Sequence, residues 1–189
     1  MAVDFGDTTK LYARYLRALR GQSALPCDFD LAGEVETRLR QLDFILARVD
    51  KLDRARIEYV SRPDPDVPSD GSFLRSNAFE VRLFTEAFYY FAARLRTILR
   101  HKDKPCPLLH AFESPGVRDV RNKLLEHPEG RDSRVFACDW TVGSADGPML
   151  KIHREPNQVF PDRGLYVNAK EFRDNLEAVL QRALASIHA

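Results

Sequence analysis

The chain of 189 residues is long enough for one domain with a substantial core. Its 44% hydrophobic and 30% charged residues, with 12 Phe among them, exclude a disordered chain and a fold that needs disulfides or metal to hold it. With 29 basic against 28 acidic residues the net charge is +1, so a strongly basic nucleic-acid-binding surface is not visible in the totals. Residues 1–60, 61–130 and 131–189 are each nearly balanced. Arg outnumbers Lys 22 to 7, and Arg is the residue suited to bidentate phosphate contacts. No stretch approaches the roughly 18 consecutive apolar residues of a membrane span. The start, MAVDFGDTTK, lacks the apolar run of a secretory signal, so a soluble, cytoplasmic protein is expected. Cys27, Cys106 and Cys138 are far apart and odd in number, which fits free thiols in a reducing compartment.

Helical spacing of Leu11, Tyr15 and Leu19 predicts a first helix over 8–20, closed by Gly21. Pro26 separates it from a long helix over about 30–61, carried by Leu31, Val35, Leu39, Leu42, Leu46, Val49 and Val60. Pro63, Pro65, Pro68 and Gly71 make 62–75 a loop. A third helix over 76–101 is the most apolar segment. Phe79, Leu83, Phe84, Phe88, Phe91, Leu95, Ile98 and Leu99 cover most of its circumference, so it is expected to be central and packed on more than one side. Ser114 and Pro115 open a fourth helix that Pro128 ends.

The pattern then changes. Arg134–Val142 and Met149–Arg154 read as two strands joined by the turn-rich Gly143–Pro148. A short extended piece, Leu165–Val167, precedes Asn168-Ala-Lys-Glu171, a capping-box-like start for a last helix to about 187. The expected fold is mainly α: a single domain over 1–189, an up-and-down helical bundle built from 8–130 and 168–188. A small β-hairpin insertion at 131–167 decorates it before the last helix.

The chemistry concentrates on the fourth helix. At about 100° per residue, Val117, Leu124, Val120 and Leu125 form its buried face and Arg121 falls in the middle of that face, with His127 at its edge. A guanidinium pointing into a bundle must be paired or must line a cavity. On the third helix Glu80 and Asn77 fall on an apolar side, which nominates them as inward partners. Inward polar groups on helices that could be wholly apolar mark where function would sit.

The run Arg121-Asn122-Lys123-Leu124-Leu125-Glu126-His127 resembles the signature of the HEPN superfamily, the higher-eukaryote and prokaryote nucleotide-binding domains. That signature is an Arg, commonly followed by a small polar residue, with a His after four to six intervening residues. Here five intervene and the polar residue is Asn122. The resemblance extends over about 30–130 and the final helix. It implies a metal-independent endoribonuclease of prokaryotic stress or phage defence, or a catalytically silent relative that binds nucleotide or an antitoxin-like protein partner. It further implies a homodimer and no cofactor.

In that reading His127 moves the proton of the 2′-hydroxyl or of the leaving 5′ oxygen. Arg121 stabilises the charge of the transition state, while Asn122 orients the phosphate or the His, and Glu80 holds Arg121. Arg94, Arg96, Arg100 and Lys123 are the candidate RNA contacts, and Tyr89, on the polar face of the third helix, is the candidate for base stacking. The competing reading from the same residues is a structural helical regulatory domain, with an internal Arg121–Glu80 ion pair and His127 at a helix end. His101, Cys106 and His110 lie close in sequence, but a fourth ligand is missing and the spacing matches no common zinc motif. Phosphate-binding Gly loops, G-x-S-x-G, H-E-x-x-H and EF-hand patterns are absent from the sequence.

Overall fold

The computed structural model describes residues 3–22, 27–61, 71–101, 106–114, 117, 134–136, 149–153 and 165–188. These form a mainly helical protein: α1 (Gly6–Arg20), α2 (Phe29–Ser61), α3 (Ser72–Leu99) and α4 (Ala169–His188). Three short strands, β1 (Arg134–Phe136), β2 (Met149–His153) and β3 (Leu165–Asn168), pair antiparallel in the order β1-β2-β3. Val135 lies opposite Ile152, and Leu150 opposite Val167. The sequence reading expects two longer strands and a separate extended piece. The Gly143–Pro148 turn lies outside the described residues, and so does the fourth helix apart from Val117.

Local chemistry accounts for the helix ends. Asp28 accepts hydrogen bonds from the backbone N–H of Asp30 and Leu31 at 3.1 and 3.0 Å, satisfying donors that the first turn of α2 leaves free. The Phe5 N–H at the start of α1 donates to Asp43 on α2 at 2.8 Å, so the cap also ties two helices together. Gly71, at φ +68°, occupies the left-handed region just before α3, where a side chain would be strained.

α1, α2 and α3 pack in an up-and-down order. Contacts of Phe5 with Asp43, and of the Tyr12 hydroxyl with the Ala32 carbonyl at 2.8 Å, set α1 antiparallel to α2. Along α2 and α3, Glu34 meets Arg94, Arg48 meets Glu80, Leu52 meets Asn77 and Tyr59 stacks on Phe73, an antiparallel register held over the whole pair. α4 lies beside α1, where the buried Thr8 hydroxyl donates to Glu177 at 2.5 Å. Phe5, Phe88, Phe112 and Phe172 form the aromatic centre, with ring centroids 5.3 to 6.3 Å apart. Edge-on and tilted ring contacts of this kind add to the burial of apolar area.

α3 differs from its sequence reading. Its core face is Asn77, Val81, Thr85, Phe88, Ala92, Leu95 and Leu99, so two polar side chains are inside. Phe79 is 67% exposed and Leu83 50%, although both were expected in the core. The helix carries a second apolar stripe, and periodicity cannot tell which of two stripes meets the bundle.

Candidate functional site

The α2–α3 seam carries the polar side chains that the sequence nominates and the structure describes. Asn77 enters the bundle from the second turn of α3 and is 4% exposed. Its Nδ2 donates to the Leu52 carbonyl at 2.8 Å, while its buried Oδ1 has no hydrogen-bond partner among the described residues. A buried acceptor left unpaired costs about 1–3 kcal/mol, so Asn77 is not explained by packing alone.

Glu80, one turn later, is not the inward acid expected. Its side chain is about one-third exposed and its Oε2 accepts from Arg48 Nη2 at 2.8 Å. The physical reason is rotation of α3: with Asn77, Thr85 and Phe88 in the core, Glu80 falls at the α2 edge rather than inside. The acid that does lie inside is Asp53 on α2, 5% exposed and bonded to Arg56 at 3.0 Å. Sequence reasoning missed it, although Asp53 continues the Val35–Leu42–Leu46–Val49 face at the fourth residue after Val49.

Outside this pair, guanidinia and rings alternate along the seam. Arg48 lies over the Phe84 ring at 5.8 Å and Arg38 over Phe91 at 5.4 Å. Arg38 also bonds Glu34 at 2.8 Å, and the Glu34 carboxyl is held below its ordinary pKa, first by that hydrogen bond.

Three of the four cations nominated for RNA are engaged within the chain. Arg94 approaches Glu34 at 3.7 Å, Arg96 approaches Glu113 at 3.7 Å, and Arg100 forms a hydrogen-bonded pair with the same Glu113. Tyr89 is fully buried, packed edge-on against Phe88, and so is not a surface for a stacked base. It lies inside for the reason Thr85 does: the face read as polar is part of the core face.

Cys106 is buried, with its Sγ 3.3 Å from the Tyr12 hydroxyl, and removal from water pushes its thiol up to about 12. Among the described residues no group of three or more His, Cys, Asp or Glu side chains is placed to hold a metal ion. No helix among them is long and apolar enough to cross a membrane. Arg121, Asn122, Lys123 and His127 lie outside the described residues, so the structure brings Asn77 and Asp53 to the same stretch of the seam but describes no contact to the motif. Comparison with protein-family models, with curated proteins and with solved structures returns no match.

Proposed function

We propose that the chain is a HEPN-like helical protein, its bundle decorated by a β-hairpin, that cleaves RNA by attack of a 2′-hydroxyl on the adjacent phosphate. The observation that supports this reading best is Val117, which is helical and fully buried. It is the first residue of the face on which the sequence puts Arg121 four residues later, one helical turn along. An arginine on that face needs a counter-charge or a ligand. Its nominated carboxylate, Glu80, bonds Arg48 at 2.8 Å, and in this reading a phosphate supplies the counter-charge of Arg121.

The chemistry follows from the residue types. His127 takes the 2′ proton and returns one to the leaving 5′ oxygen. Arg121 stabilises the additional negative charge, and Asn122 orients the phosphate. A second reading, a catalytically silent module that binds a protein partner, is favoured by the pairing of Arg94, Arg96 and Arg100 with the chain's own carboxylates. Such pairs must be broken before the cations can serve a phosphate backbone.

Cleavage of a mixed-sequence RNA in excess EDTA tests the proposal, with wild type compared against folded Arg121→Ala and His127→Ala. The expected products end in 2′,3′-cyclic phosphate, with both variants at least about 100-fold slower. An inactive wild type, with Arg121→Ala several kcal/mol less stable and His127→Ala unchanged, would establish the ion-pair reading instead.

A further inference from the structure

We draw no further inference here: the strongest candidate, the apolar cavity of about 550 Å³ between the last two turns of α2 and the first two turns of α3, carries nothing, because its Arg56 is bonded to the buried Asp53 and nothing in the structure shows what fills it.

Discussion

Tyr12 and Cys106 show how one contact can silence a reactive group. The Tyr12 hydroxyl donates to the Ala32 carbonyl and lies 3.3 Å from the Cys106 sulfur, all three inside the core. Burial raises the thiol to about 12, so it stays protonated through the neutral range and the nucleophilic thiolate is scarce. Alkylation of the native protein at pH 8 should therefore leave Cys106 unmodified while denatured protein reacts there, as peptide mass mapping would show. Modification of native Cys106 as fast as in the denatured chain would contradict the burial described here. Leu108, two residues on, has φ +69°, in the left-handed region that favours glycine. Leu108→Gly should be neutral or stabilising by up to about 1 kcal/mol in thermal unfolding, despite the apolar atoms removed.

At the scale of elements, α2 and α3 contrast two kinds of polar contact. Arg48–Glu80 is more than one-third exposed on one side and about that on the other, so water already solvates it. Asn77 is sealed, one acceptor unpaired. Glu80→Gln should change stability by less than about 1 kcal/mol, whereas Asn77→Asp, which buries a charge, should cost several, both read by chemical denaturation. The four helices are legible in the sequence because Gly21, Pro26, the proline-rich loop at 62–75 and the Asn168–Glu171 start punctuate strong 3-4 spacings. The facing of α3 was not legible. A helix with Phe79, Leu83 and Tyr90 on one side and Val81, Phe88 and Leu95 on the other offers two solutions. Only the partner, here α2 with Leu52 and Arg48, decides between them. Glu80 and Tyr89 were misplaced for that one reason. Asp53, by contrast, sits at the extension of a single clear stripe and could have been found by continuing it.

On the scale of the whole molecule, the described residues organise charge into pairs rather than fields. Glu34 serves both Arg38 and Arg94, and its carboxyl is depressed below the ordinary glutamate value of about 4.3. A depressed folded-state pKa contributes stability that is present above the unfolded value and lost as pH falls through the folded one. Thermal stability should therefore fall on acidification below about pH 4.5, and Glu34→Gln should flatten part of that fall.

The side-by-side packing of α1 and α4 has a consequence in time. Thr8 and Glu177 are 169 positions apart, yet their hydrogen bond closes the bundle. On the ribosome the first helix waits, the flank that carries Thr8 uncovered, until the last one emerges. At bacterial-to-eukaryotic elongation rates that interval is on the order of ten seconds or more. During it the nascent chain is a client for whatever holds apolar surface.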